Sequence, residues 1–191
     1  MKYPNSNKTY VKARESASNR GMSLEEDINT TNRYYLTSDI AVVYKKPTPI
    51  TIVHVDYPKR SAAKITEAYF KVASTTDYNG IFMGRYIDFE AKECESKTSF
   101  PFSSIHSHQI RHLTDVLRHG AIAFIIIRMV AYDKDFLIKA NDFINFYNST
   151  SRKSLPYDWI EKNGFVIEKT YKKPCDYLQV VERVFELWVR K

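Results

Sequence analysis

The sequence has few cysteines and no long apolar segment, and both features argue against particular classes of protein. Among 191 residues there are only two cysteines, Cys94 and Cys175, and neither lies in a Cys-x-x-Cys motif. This spacing argues against a disulfide framework or a zinc knuckle, and we expect two reduced thiols. The longest apolar run, residues 121–127, is far shorter than the ~20 residues that span a bilayer. We therefore expect no membrane partner.

The chain also lacks an apolar signal region after Met1, so the expected location is the cytoplasm, in association with the nucleoid. Its composition, with 43% hydrophobic and 27% charged residues, is typical of a globular protein. At this length we expect one domain, or one domain with an excursion, that can bury a sizeable core.

Acidic residues are outnumbered, and the excess of basic residues is concentrated in two stretches. The formal net charge is +7, and residues 1–20 contain five basic side chains and one acidic one. Residues 44–64 show the same excess, again five to one. Two basic segments indicate a polyanionic partner that is bound through its phosphates, although a basic tail alone is also consistent with a role in solubility. The basic residues of the second stretch are Lys45, Lys46, Lys59, Arg60 and Lys64.

The most informative stretch is residues 74–92, whose second half alternates polar and apolar side chains. This period of two predicts a strand with one buried face, on which Glu90 and Lys92 point the same way. We expect the chain to turn at Met83-Gly84, and not at Asn79-Gly80, so that an antiparallel strand carries Asp77 towards Glu90.

Two carboxylates and a lysine at one end of a sheet have a specific chemical interpretation. Paired carboxylates are hard oxygen ligands that hold Mg²⁺, which activates a water and offsets charge on phosphate oxygens. Lys92 is then placed to orient that water or to neutralise developing charge. The alternative is that Glu-x-Lys is an exposed ion pair with little energetic value.

Further elements surround this stretch. Ser23 and Glu26 form a capping-box pattern that predicts a helix to about Leu36. Glu25, in its first turn, either approaches the metal site as an auxiliary acid or simply complements the helix dipole. Residues 121–130 predict a central strand covered on both sides. Asp176 is predicted to cap the last helix.

Residues 41–63 form an unusual segment, because Pro47 and Pro49 interrupt a pattern that otherwise predicts strands. A proline-stiffened excursion with basic residues near its tip is suited to reach into nucleic acid. The alternative is an edge hairpin of the main sheet, in which prolines prevent aggregation.

Near Gln109, the histidines His108 and His112 are one turn apart on a predicted helix, as zinc ligands are. No third ligand has motif spacing, so the pattern favours surface histidines.

Several blocks of sequence together resemble one family. The pattern Asp77, a spacer, then Glu90-x-Lys92 is similar to the PD-(D/E)xK nuclease motif, with Thr76 in place of the proline. Taken in order, the blocks resemble the RecU family of Holliday junction resolvases from about residue 21 into the 170s. They are GMSLEEDIN, KKPTPI, VDYPKRS, STTDYNG, YIDFEAK and KTSFP.

The resemblance implies a fold, a reaction and partners. The fold is α/β, a mixed central sheet flanked by helices, with residues 21–191 forming the nuclease domain and residues 41–63 its protruding stalk. Residues 1–20 do not share the resemblance, and their polar, aperiodic composition predicts a flexible basic arm. The reaction is Mg²⁺-dependent cleavage, with Mn²⁺ as a substitute, of paired strands at four-way and other branched DNA. The implied partners are a second copy of the chain, the RecA recombinase and a branch-migration helicase.

The resemblance also assigns residues. Asp77 and Glu90 match metal-binding acids, Lys92 matches the catalytic lysine, and Thr75 and Gln109 match further residues at the metal. Lys45 and Arg60 match basic residues that serve junction binding or RecA. Two other functions stay open: a nuclease that acts on ordinary duplexes, and a non-catalytic DNA architectural protein or recombinase modulator.

Overall fold

The computed structural model describes residues 23–71 and 75–187. The predicted basic arm and Trp188, which we expected on the apolar stripe of the last helix, lie outside these residues. Within them, the predicted fold class is confirmed: a mixed central sheet is flanked by helices and carries a separate hairpin. None of the helices in the described ranges is long and apolar enough to cross a membrane.

The central sheet has six strands in the order β1-β4-β5-β7-β8-β10, and β5–β7 is its one parallel pair. Strand β7 is buried along its whole length, as the apolar run predicted. The ten strands of the described residues are β1 (Ala41–Lys45), β2 (Ile50–Asp56), β3 (Lys64–Phe70), β4 (Tyr78–Phe82), β5 (Arg85–Cys94), β6 (Ser99–Pro101), β7 (Ile122–Met129), β8 (Lys134–Lys139), β9 (Ser154–Pro156) and β10 (Phe165–Ile167).

The helices cover the two faces of this sheet. Helices α1 and α5 pack on one face, in a core that includes Ile28, Phe89 and Val181. Helices α2, α3 and α4 pack on the other face, in a core that includes Leu113 and Phe143. The five helices are α1 (Leu24–Thr37), α2 (Ser107–Arg118), α3 (Ala140–Ser149), α4 (Tyr157–Asn163) and α5 (Tyr177–Val184).

The helix ends are partly as predicted. The capping box of α1 is present: the Ser23 hydroxyl accepts from the Glu26 N–H, and the Glu26 carboxylate accepts from the Ser23 N–H. Asp176 occupies the N-cap position of α5 as predicted, but its side chain makes no capping bond. Its carboxylate instead accepts from Tyr35 Oη at 2.7 Å and pairs with Lys173, since it is buried between α1 and α5.

The proline-rich excursion leaves the main sheet as a hairpin of its own. Strand β1 pairs with β4 in the central sheet, whereas β2 and β3 pair only with each other. Both strands are exposed along their whole length. This arrangement is not an edge hairpin of the main sheet. The separate hairpin comprises β2 and β3, residues 50–70, whereas β1, the first part of the predicted 41–63 stalk, belongs to the central sheet.

The free thiols predicted from the sequence are also observed. Cys94 and Cys175 are both buried, and neither forms a disulfide bond. Burial raises the pKa of the Cys175 thiol well above its usual value.

Substitution of Gly80 tests how closely strand β1 approaches strand β4 in the sheet. A Cβ at this position would overlap the Val42 carbonyl oxygen and lie 2.7 Å from Val43 Cα. We expect Gly80→Ala to lower the free energy of unfolding by about 3 kcal/mol, because backbone atoms cannot give way. The measurement is chemical denaturation. Gly84→Ala is the control: its φ of +72° strains the backbone but its surroundings are open, so about 1 kcal/mol is expected. Equal losses would contradict this account.

Candidate active site

The β4–β5 hairpin brings two predicted metal ligands together. Its turn is formed by Met83 and Gly84, both with positive φ (50° and 72°), which confirms the predicted turn. Backbone of this kind matches the twist of the flanking strands. The register pairs Tyr78 with Phe89, so Asp77 lies opposite Glu90. The Asp77 N–H donates to Glu90 Oε2 at 3.1 Å.

Lys92 completes the predicted group of three residues. Its Nζ lies 3.2 Å from Asp77 Oδ2 and is in direct contact with Glu90 Oε1. Burial lowers the pKa of the Lys92 ammonium, but the charges and hydrogen bonds of Glu90 and Asp77 outweigh burial and raise it overall. The lysine is therefore held in its charged form between the two carboxylates.

Glu90 is the least well satisfied member of the group. Its side chain is 0% exposed, and burial raises its pKa to about 7, with further upward contributions from Asp77 and downward ones from Lys92. Its Oε1 touches the Lys92 ammonium but accepts no hydrogen bond of good geometry from any described residue. A buried carboxylate in this state favours a cation.

A divalent ion fits this donor set. Asp77 and Glu90 present carboxylate oxygens side by side, and Mg²⁺ prefers oxygen ligands while keeping several of its waters. No group of three or more His, Cys, Asp or Glu side chains suited to a metal occurs in residues 23–71 and 75–187. Two carboxylates must therefore be supplemented by neutral oxygens, waters or phosphate.

Thr75 and Gln109 are the two neutral residues that were predicted to complete the metal site beside these carboxylates. Thr75 is half-buried two residues before Asp77, and its hydroxyl makes only a 3.5 Å contact with the Thr76 carbonyl. Gln109 is 4% exposed in the first turn of α2, where its Oε1 accepts from the His106 N–H at 2.9 Å.

The position of Gln109 relative to strand β5 can be inferred from a contact of His112, which lies one helical turn further along α2. His112 Nε2 lies 3.2 Å from Asp88 Oδ2. Because α2 links the parallel strands β5 and β7, it runs antiparallel to β5. One turn back along α2 and two residues forward along β5 are comparable distances, about 5 and 7 Å. We therefore expect Gln109 to lie near the level of Glu90.

Glu25 lies at the same cleft. It lines a cavity together with Asp77, Tyr78 and Glu93, at the N-terminal end of α1. Its Oε1 is 2.5 Å from Lys45 Nζ, and more than half of its side chain is exposed. Both interpretations of Glu25 are compatible with this position, and its role stays a prediction.

The basic residues predicted to bind DNA divide into two groups. Lys59, Arg60 and Lys64 are exposed at the far end of the β2–β3 hairpin. Lys45 is partly exposed beside Glu25. Lys46 instead points inwards: its side chain is 18% exposed and its Nζ lies 2.8 Å from Asp88 Oδ2.

Asp88 also lies at this site, although the sequence did not predict it there. It is fully buried and surrounded by donors from four segments. The alternation of β5 places it on the same face as Glu90, but alternation alone does not tell which polar residue of that face is buried. The donors around its carboxylate are Lys46, Thr76, Tyr86 and His112.

Comparisons with known proteins identify the family of this chain. The family described as "RecU: Recombination protein U" matches residues 19–183. A Holliday junction resolvase RecU of Geobacillus sp. strain WCH70 is 56% identical over 87% of this chain and 85% of its own. That of Oceanobacillus iheyensis is 54% identical over 88% and 87%. That of Geobacillus kaustophilus is 49% identical over 97% and 98%.

A solved structure, the Holliday junction resolvase Hjc of Archaeoglobus fulgidus, is 12% identical with a TM-score of 0.39, covering 71% of this chain and 86% of its own. No conclusion follows from so low a TM-score.

The mixed sheet and the group of Asp77, Glu90 and Lys92 at one of its ends match the pattern expected of a nuclease of the PD-(D/E)xK type. Within that class, the chain belongs to the RecU family. The predicted family resemblance is confirmed. The individual site assignments are not tested by these similarities and stay predictions.

The raised pKa of Glu90 predicts a pH dependence of stability. Between the ordinary value of 4.5 and about 7, the folded protein binds more protons than the unfolded chain, so stability falls as the pH rises through this window. In EDTA, we expect the ionisation of Glu90 to lower the free energy of unfolding by about 3 kcal/mol as the pH rises through this window. Glu90→Gln should remove this cost.

Urea denaturation across the window, without metal, measures the effect. Glu161→Gln, at a side chain that is 56% exposed, is the matched control and should keep the wild-type slope. Equal slopes for Glu90→Gln and wild type would contradict the assignment.

Proposed function

We propose that this chain is a metal-dependent, structure-selective endonuclease that resolves four-way DNA junctions by paired symmetric nicks in recombination and repair. The observation that carries the proposal is the contact of Lys92 with both Asp77 and Glu90, where Glu90 is buried with an incompletely satisfied oxygen. Relatives of about 50% identity are named Holliday junction resolvases, and they supply the substrate class.

The metal is proposed to be Mg²⁺, with Mn²⁺ as a substitute, held by Asp77 and Glu90 with Thr75 and Gln109 directly or through water. When bound, such an ion lowers the pKa of a water and offsets phosphate charge. Lys92 Nζ donates hydrogen bonds to the attacking water and to phosphate oxygens as negative charge grows on them. Glu25 assists as an auxiliary acid at the edge of the cleft.

The β2–β3 hairpin is proposed to contact the junction. Lys59, Arg60 and Lys64 lie exposed near its tip, where they bind phosphates without reading base sequence. Because such contacts depend on the placement of the phosphates, shape dominates binding. Lys45 contributes at the base of the stalk, whereas Lys46, also predicted from the sequence to bind DNA, points inwards to Asp88.

A homodimer follows from the reaction. Two symmetric cuts require two sites related by a two-fold axis. The chain offers an uncovered apolar surface where β1 and β4 pair: Val42, Tyr44 and Ile81 are 46%, 57% and 58% exposed on one side of the sheet. A second copy of the chain is proposed to cover it. RecA and a branch-migration helicase are proposed as further partners, at the nucleoid.

Two other functions make different predictions. A nuclease for ordinary duplexes would use the same metal site without preferring branched DNA. A non-catalytic architectural protein or recombinase modulator would bind junctions through the stalk and leave them intact. The buried, cation-seeking Glu90 favours a catalytic function, because simple DNA binding gives no reason to bury that charge.

Cleavage of a synthetic four-way junction and of a linear duplex of matching sequence tests the proposal. With Mg²⁺, we expect paired nicks on the junction only, and none with EDTA. Asp77→Ala should lower the cleavage rate by more than about a hundredfold while junction binding persists. Asp115→Ala, at an exposed aspartate of α2, is the control and should cut normally.

The other outcomes are also informative. Equal cutting of both substrates would indicate a general nuclease. Tight binding without cleavage by the wild type, even with Mn²⁺, would contradict the catalytic function and leave the architectural one.

A further inference from the structure

The buried carboxylate of Asp88 is held differently from that of its neighbour Glu90. Its Oδ2 lies 2.8 Å from Lys46 Nζ, 2.7 Å from Tyr86 Oη and 3.2 Å from His112 Nε2. The Thr76 hydroxyl donates to the other oxygen, Oδ1. Both oxygens are therefore occupied by protein donors, and Asp88 is not available as a metal ligand.

Two of the partners of Asp88 hold the segment that carries Asp77. Thr76 lies directly before Asp77, and its hydroxyl also accepts from Lys46 Nζ at 2.8 Å. The Lys46 backbone N–H donates to the Asp77 carbonyl oxygen at 2.8 Å. Asp77 is thus fixed from both sides by residues that converge on the Asp88 carboxylate.

The other contacts of Asp88 connect helix α2 and the base of the stalk to the same carboxylate, which lies close to Glu90 along β5. Asp88 is two residues before Glu90 on the same face of β5. His112, one turn after Gln109 on α2, contacts both Asp88 Oδ2 and, at 3.4 Å, Lys46 Nζ. Lys46 itself follows β1 and precedes Pro47, at the base of the stalk.

A purely stabilising role is a weak explanation for this arrangement. Burying an ion pair costs about as much free energy as it returns, and apolar residues of similar volume often serve stability equally well. A buried carboxylate that joins four separate segments instead fixes their relative positions. Outer residues that orient metal ligands typically change metal affinity by about 10- to 100-fold when they are replaced.

We propose that Asp88 is a positioning residue: through Thr76, Lys46 and His112 it sets Asp77 and Gln109 against Glu90, and it fastens the base of the stalk to the metal site. Lys46 is accordingly an internal tie and not a DNA contact. This inference rests on the proposed function, because it presupposes that Asp77 and Glu90 bind a metal.

Calorimetric titration of the protein with Mn²⁺, without DNA, tests the proposal independently of cleavage. Asp88→Asn keeps the shape of the side chain and removes its charge. We expect Mn²⁺ affinity to fall about tenfold or more. Lys46→Met should weaken Mn²⁺ similarly, and the double variant should lose no more than Asp88→Asn alone, because the two residues act through one contact.

Asp176→Asn is the matched control, since Asp176 is a buried carboxylate in the core on the opposite face, bonded to Tyr35 and Lys173. It should lower the melting temperature without changing Mn²⁺ affinity. Tyr86→Phe, which removes one hydrogen bond at a side chain that is partly exposed, should fold and should weaken Mn²⁺ by a smaller factor. It serves as the test if Asp88→Asn does not fold.

Mn²⁺ affinity within about twofold of wild type in Asp88→Asn, or in Tyr86→Phe as its substitute, would overturn the positioning role. So would an equal loss of affinity in Asp176→Asn. A wild-type protein that binds no Mn²⁺ would overturn the proposed metal site itself, and the inference with it. Tight Mn²⁺ binding by wild type together with an unaffected Asp88→Asn would overturn the positioning role alone.

Discussion

The structure depends on the burial of two carboxylates, Asp88 and Glu90, on one face of a single strand. Burying a charge without partners is costly, so each must be compensated locally. Asp88 is compensated fully, by donors from four segments. Glu90 is compensated only in part, and its pKa is raised to about 7. In the structure the Lys92 ammonium contacts Glu90. The roles that we propose, positioning for Asp88 and metal binding for Glu90, follow from this difference between the two carboxylates.

The topology of the sheet explains how distant segments meet at this strand. An antiparallel hairpin supplies Asp77 on one side of β5, and the parallel partner β7 requires a crossover, which places α2 over the carboxylates. The stalk departs between β1 and β4, so its base at Lys46 lies beside Thr76. The strand pairing that brings Asp77 opposite Glu90 thus also fixes the origin of the hairpin that we propose to contact DNA.

Local patterns in the sequence predicted the parts of the fold that local physics decides. The strand around Glu90, the turn at Met83-Gly84 and the capping box at Ser23 all depend on neighbouring residues. The alternation predicted one buried face for that strand, but both faces are buried from Ile87 to Glu90. The inward orientation of Lys46 and the bond of the Asp176 carboxylate to Tyr35, in place of a capping bond, depend on segments far along the chain. No local pattern reveals them. In the charge pattern Lys46 was indistinguishable from Lys45, and only the position of Asp88 separates them. Function and substrate came from family resemblance, not from periodicity or spacing.

The central claim, that Asp77 and Glu90 form a metal site, is tested most directly by an anomalous-scattering map from crystals of the protein soaked in Mn²⁺. We expect a peak within about 2.5 Å of carboxylate oxygens of both residues, with Lys92 Nζ displaced from its contact with Glu90 Oε1. A map at saturating Mn²⁺ in which Lys92 still bridges the two carboxylates, or in which the metal lies elsewhere, would contradict the account.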